Sequence, residues 1–325
     1  MKACDAQVYG TLRLTVSLRV IPLAVLAGLL AACATVTPVD TEYLRARFRA
    51  VADDLPLFAH LAQVAYSDPP LEPGYERFEV PVPEGLPQKA VYVVWTDHDR
   101  KVQYIAIRGT ANVEDLRTDL KAEMVRDPQL DLPVHRGFRN LAHAIYGDLI
   151  AHDRLNPEYA IALTGHSLGG AAAVIVAMYL RTNALYAKKI VKVMTFGQPK
   201  FTSNEGVHAF QELNERIVRI VGCDDVIPFL PPPRWFSFLP DSYEHKGTVF
   251  VLLDHTYFDY LDSGDIERPF VKSLRDDFDA AVNDRTLFYS HRIARYIMRI
   301  ADKRDGYDPV SYDRKTEALC RASAQ

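Results

Sequence analysis

The chain is poor in cysteine, in net charge and in long apolar runs, and each shortage narrows its chemistry. Four cysteines in 325 residues do not make a disulfide-stapled scaffold, and no Cys/His spacing suits zinc. The ten histidines include no His-x-x-x-His helix face, so no metal and no cofactor is expected. A formal net charge of -4, with basic residues scattered along the chain, gives no nucleic-acid surface. There is no internal repeat and no low-complexity block. The apolar stretch "VIPLAVLAGLLAAC", Val20 to Cys33, is short for a membrane-spanning helix.

What remains is an ordinary globular composition, 48% hydrophobic and 25% charged, in a chain long enough for a large core. The N-terminus stands apart. Lys2, Arg13 and Arg19 precede the apolar stretch, which has the length of a signal-peptide core and ends in Leu30-Ala31-Ala32-Cys33. That ending resembles the lipobox of bacterial lipoproteins. The resemblance implies export, lipidation at Cys33 and an anchor in a membrane of the cell envelope, the outer membrane first. An ordinary cleaved signal or an uncleaved anchor is the alternative. Residues 1–33 are therefore set outside the fold, and "ATVTPVD" supplies a tether over 34–40. Cys223 and Cys320 are left over; sequence alone does not bring them together.

Along the mature chain, 41–66 has apolar residues at helical spacing with a break at Pro56, and "SDPPLEPGYE" is a loop. "AVYVVWT" and "VQYIAIR" are strands joined by the turn "DHDRK". Residues 138–155 are amphipathic and helical, "YAIAL" is a short buried strand, and "SLGGAAAVIVAMYLRT" is an Ala-rich helix. "KIVKVMTFG" and "RIVRIVG" give two more strands around a helical "SNEGVHAFQELNE"; "TVFVLL" is a further strand before a helix-rich end closing on "LFYSHRIARYIMRIAD". Strands alternating with helices predict an α/β fold with a largely parallel central sheet, in one domain over 41–320.

One connection in this pattern carries chemistry. Between "YAIAL" and its helix lies Gly165-His166-Ser167-Leu168-Gly169, a strand, G-x-S-x-G, helix arrangement. A serine hydroxyl is a poor nucleophile at neutral pH, and it needs a base, an acid orienting that base and donors for an oxyanion. On a tight strand-to-helix turn Ser167 would stand at a helix N-terminus, where unpaired N–H groups favour developing negative charge. Without those partners, the same glycines are merely a turn.

Several segments in order resemble the class 3, or fungal-type triacylglycerol, lipase family. They are "YIAIRGTANVEDLRTDL" (104–120), "VHRGF" (134–138), "TGHSLGGAAA", "VMTFGQPKFTSN" (193–204) and "DDVIPFLPP" (224–232), within a resemblance spanning roughly 57–300. It implies an α/β-hydrolase-type, mostly parallel sheet flanked by helices, and a carboxylic-ester hydrolase acting through an acyl-enzyme. Ser167 takes the nucleophile's place and Asp225, directly before Val226-Ile227-Pro228, the acid's, with Asp224 as its rival. The base follows the acid in sequence, so His245, His255 and His291 are candidates. His291, entering the last helix with an aromatic after it, matches the family's final histidine; His255 in "LLDHTYFDYL" stays open. Thr110 and the backbone N–H of Leu168 would form the oxyanion hole. His166 is expected to pack and hydrogen-bond rather than act as a base.

The resemblance also sets substrate expectations. The segment after Thr110 takes the lid's place, but Leu116 stands where family lids often carry tryptophan and "ANVEDLRTDL" holds four charges, which weakens interfacial activation. "PFLPPPRWFSFLP" (228–240) is a candidate acyl-pocket wall or lipid-facing surface, or ordinary core. Acylglycerols or related lipid esters are the expected partners. Phospholipase, other carboxylesterase, and a non-catalytic envelope module on a hydrolase scaffold are the alternatives. Chain-length preference and oligomeric state are not legible.

Overall fold

The computed structural model describes residues 41–69, 71–83, 88–110, 123–231, 243–261, 287–310 and 318–321. The leader with Cys33, the tether, the lid position 111–120 with Leu116, and 232–240 lie outside them. Asp40–Gln325 forms one compact unit. It is built on a nine-stranded sheet in the order β1-β2-β3-β6-β7-β8-β9-β10-β11. The strands are β1 (Tyr75–Pro81), β2 (Lys89–Asp97), β3 (Val102–Ile107), β6 (Ala160–His166), β7 (Ile190–Phe196), β8 (Ile217–Gly222), β9 (Thr248–Leu252), β10 (Tyr257–Leu261) and β11 (Asp308–Pro309). β4 (Met124–Asp127) and β5 (Leu132–His135) pair separately. From β3 through β9 every neighbour is parallel, and antiparallel β1-β2-β3 and β9-β10 flank that centre.

The parallel centre follows from strands that are mostly apolar on both faces, as burial on both faces favours, with Arg219 in β8 a buried exception. β8 is buried at every position and β6 at all but its first. On one face pack α3 (Arg136–Ala151) and α4 (Leu168–Thr182), whose first thirteen residues are all buried. On the other lie α1 (Thr41–Ala52), α2 (Leu55–Val64) and α5 (Ile293–Ala301). Pro56 begins α2, where its missing N–H costs nothing.

Three local expectations are corrected. The helical reading of 203–215 resolves into two short helices, Asn204–His208 and Gln211–Asn214. The last helix is broken: Leu287–Ser290 ends before His291, and α5 starts only after extended Arg292. The region after "TVFVLL" also contributes strands β10 and β11, where only helix was expected. β10 completes an antiparallel hairpin with β9, and β11 pairs with it through residues 51 positions away (Tyr257 with Asp308), a partnership no local pattern announces.

Cys223 and Cys320 form a disulfide across a separation of 97 residues. It ties the short helix Ala318–Arg321 to the loop after β8, and closing so long a loop stabilises by about 2–5 kcal/mol. Among the described residues the cluster of metal-holding size, Cys223, Asp224 and Cys320, has both its sulfurs in this bond.

Candidate active site

Ser167, Asp225 and His291 sit at the carboxyl edge of the parallel strands. β6 ends at His166, and Ser167 takes φ 59°, ψ −134° before α4 begins at Leu168. A non-glycine residue at positive φ is strained and needs its surroundings to hold it. Here Ser167 N donates to Phe196 O at 2.9 Å, and Ser167 O accepts from Gly170 N at 2.9 Å. Gly169 permits the next approach: a Cβ there would lie 2.2 Å from Ile107 O and 2.8 Å from Gly109 N. The end of β3 is thus pressed against the start of α4. A Cβ on Gly109 would fall 3.2 Å from Ser167 Cβ, so the backbone just before Thr110 passes close to the serine.

Asp225 lies in the loop after β8 and is 1% exposed. Its Oδ1 accepts from Ile227 N at 2.9 Å, and its Oδ2 from His291 Nδ1 at 2.8 Å and Tyr296 Oη at 2.5 Å. Gly197, at φ +58°, leaves room for the pair; a Cβ there would be 2.8 Å from Asp225 Oδ2 and 2.9 Å from His291 Cε1. Because the carboxylate can only accept, the His291 proton is on Nδ1 and Nε2 carries a lone pair. That Nε2 and Ser167 Oγ are both buried without a hydrogen-bond partner among the described residues. One is an acceptor and the other a donor.

The break before α5 explains how His291 reaches this position, and a second histidine holds it there. The His166 and His291 rings lie 4.5 Å apart, tilted by 34°. His166 Nε2 donates to His291 O at 2.5 Å, while its Nδ1 accepts from Tyr66 Oη at 2.9 Å. Burial, and then the neighbouring His291, push the His166 pKa down to about 3. His166 is therefore a neutral clamp on the His291 backbone.

The sign of its effect on stability follows. Between about pH 3 and the ordinary histidine value near 6.5 the unfolded chain binds a proton at His166 that the folded chain does not. Stability falls as pH drops through that window, by up to about 1.4 kcal/mol per pH unit from this group. His166→Gln should flatten the acid limb by up to one proton in urea melts between pH 4 and 6.5. An unchanged slope would show that His166 is not buried neutral.

The rivals are engaged elsewhere. Asp224 faces Arg299 at 2.6 Å and Ser290 Oγ at 2.9 Å; burial opposes its charge, but those partners hold its pKa below the ordinary carboxylate range. His255 is exposed on the β9–β10 turn, and its carbonyl accepts from Lys303 Nζ at 2.8 Å. His245 Nε2 donates to Pro228 O at 2.6 Å. Two residues of the site were not singled out from sequence, Tyr66 and Tyr296. Tyr296, in the first turn of α5, is the aromatic that follows His291 in sequence. Tyr66, at the end of the α2 segment, had no signal.

The geometry can now be set beside known proteins. Residues 104–235 match the class 3 lipase family. The class 3 segment thus begins in β3 and ends beyond the acid loop, taking in Thr110, Ser167 and Asp225. The chain is 29% identical over 171 residues to a lipase of Rhizomucor miehei, across 48% of this chain and 43% of that protein. To a secreted mono- and diacylglycerol lipase of Fusarium solani it is 26% identical over 185 residues, across 55% of this chain and 50% of that one. It thus spans about half the length of these relatives. Among solved structures, the Lip2 lipase of Yarrowia lipolytica superposes with TM-score 0.50 at 24% identity, covering 64% of this chain and 81% of that chain. The fold is that of the α/β-hydrolases.

Proposed function

We propose that the chain hydrolyses carboxylic esters of acylglycerols or related lipids through an acyl-enzyme. The observation that supports this reading is a pair of orphaned groups of opposite sense. Ser167 Oγ and the His291 Nε2 lone pair are both buried and unpartnered among the described residues, with Asp225 fixing the ring from behind. In this reading His291 Nε2 takes the Ser167 proton as Oγ attacks the ester carbonyl. The tetrahedral oxyanion is held by the Leu168 N–H and by Thr110, and loss of one such donor costs about 3 kcal/mol of barrier. The imidazolium then protonates the leaving alcohol. Water, deprotonated by His291, attacks the acyl-enzyme and releases the fatty acid. The class 3 match and the lipases among its relatives support acylglycerols over other esters.

A fluorophosphonate probe tests this directly. The wild type should be labelled stoichiometrically and Ser167→Ala not at all. Absence of labelling in the wild type would leave the non-catalytic scaffold as the reading. Turnover of emulsified triacylglycerol, diacylglycerol and phospholipid by the unlabelled wild type separates lipase from phospholipase.

The same proposal places the enzyme on a membrane of the bacterial cell envelope, exported and tethered by lipid on Cys33. The support is in the sequence: the basic leader, the apolar core and Leu30-Ala31-Ala32-Cys33. Among the described residues no helix is long and apolar enough to cross a membrane. Growth with radiolabelled palmitate should label the wild type and not Cys33→Ser; equal labelling of both would refute the anchor.

A further inference from the structure

Behind the Asp225 loop, on the α4 side of the sheet, lies a buried group of cations and donors that the proposed reaction does not use. Arg219, in β8, is 1% exposed and stands in register with Thr195 of β7 and Val249 of β9. Its Nε and Nη1 have no hydrogen-bond partner among the described residues. Thr195 Oγ1 donates to Gln198 Oε1 at 2.8 Å, which fixes that amide. The other end of the amide, Nε2 of a residue 1% exposed, is left as a second orphan donor. Lys200, also 1% exposed, lies within electrostatic reach of Arg219, and Glu244 is the carboxylate that acts on both. His245 borders the same two cations. The cluster backs directly on the acid loop, since Lys200 N donates to Leu230 O at 2.8 Å and His245 Nε2 to Pro228 O.

Arg219 is thus a buried cation on which Glu244 acts, and among the described residues three N–H-bearing atoms, Arg219 Nε and Nη1 and Gln198 Nε2, have no acceptor. A buried, unsatisfied charged donor is among the costliest features a core can hold. An occupant that repairs it must be small and present acceptors to these donors, and an anion also adds counter-charge beside the buried guanidinium. We propose that Arg219 and Gln198 form an internal binding site for a monovalent anion of halide size, chloride in the cell, between β7, β8 and the acid loop. One orphan has the opposite sense: His245 Nδ1 is an acceptor in the neutral ring. A water bridging it to the guanidinium would satisfy both groups, and that competing outcome shapes the test.

Thermal melts of the full-length protein are run in sodium chloride against sodium gluconate at fixed ionic strength. Chloride should raise the midpoint along a saturating curve, because an anion at a hundred times its Kd raises the folding constant about 100-fold. Gln198→Leu should weaken the apparent chloride affinity by roughly tenfold, the worth of one hydrogen bond of ordinary strength to a charged group. Arg219→Met should abolish the response. Superimposed chloride and gluconate curves for the wild type, or a full chloride response in Arg219→Met, would overturn the site and favour water. Should Arg219→Met fail to fold, bromide-soaked wild-type crystals decide instead. An anomalous peak within hydrogen-bond reach of Arg219 Nε and Gln198 Nε2 supports the site, and its absence refutes it.

Discussion

Replacing His291 by alanine should lower kcat/KM for a soluble p-nitrophenyl ester by about 10⁴–10⁶-fold, while His255→Ala should stay within about twofold. The contrast rests on position. His291 Nδ1 is 2.8 Å from Asp225 Oδ2, and the far side of its ring is buried and unpartnered among the described residues. His255 is exposed on a hairpin turn, and its carbonyl binds Lys303. Removing the base leaves the serine with no acceptor for its proton, so kcat should carry the loss and KM little of it. Fluorophosphonate labelling should slow in parallel, because it needs the same deprotonated serine. If His255→Ala were the crippled variant, the assignment of the base would be wrong even though the Ser167 result stood.

The outcome would also measure how far such a site can be read from sequence. The serine turn was legible because its requirements are local. An apolar strand, two flanking glycines and an Ala-rich helix all lie within 160–182, and the contact of Gly169 with the end of β3 shows why that glycine is needed. The parallel centre was legible for the same reason, since each of its strands is a short, mostly apolar run. The histidine was harder. Three followed the acid, and what separates them is a break at His291 that looks helical on both sides. Tyr66 and Tyr296 could not be found, because their roles exist only through contacts across 100 and 71 residues. The disulfide is a similar case. Two leftover cysteines were visible, but their meeting depends on how the C-terminal helix returns to the loop after β8.

Asp225→Asn should cost about 10⁴-fold in kcat, whereas Asp224→Asn should leave kcat within a few-fold and lower stability instead. The two aspartates are adjacent in sequence and opposite in engagement. At Asp225 an asparagine amide can present its NH₂ to His291, which forces the ring proton from Nδ1 to Nε2 and removes the lone pair Ser167 needs. It also breaks the match with Tyr296, whose hydroxyl now donates to Oδ2 at 2.5 Å. The fold should survive, since the side chain keeps its shape and the Ile227 N–H can still be satisfied. Asp224 instead pairs with Arg299, whose guanidinium also bonds Asp254 at 3.1 Å. Neutralising Asp224 leaves that largely buried guanidinium with half its counter-charge, a loss of the kind that costs up to about 3–5 kcal/mol in a buried pair. Urea denaturation and kcat measured on both variants separate the roles. Loss of stability without loss of kcat in Asp225→Asn, or the reverse in Asp224→Asn, would exchange them.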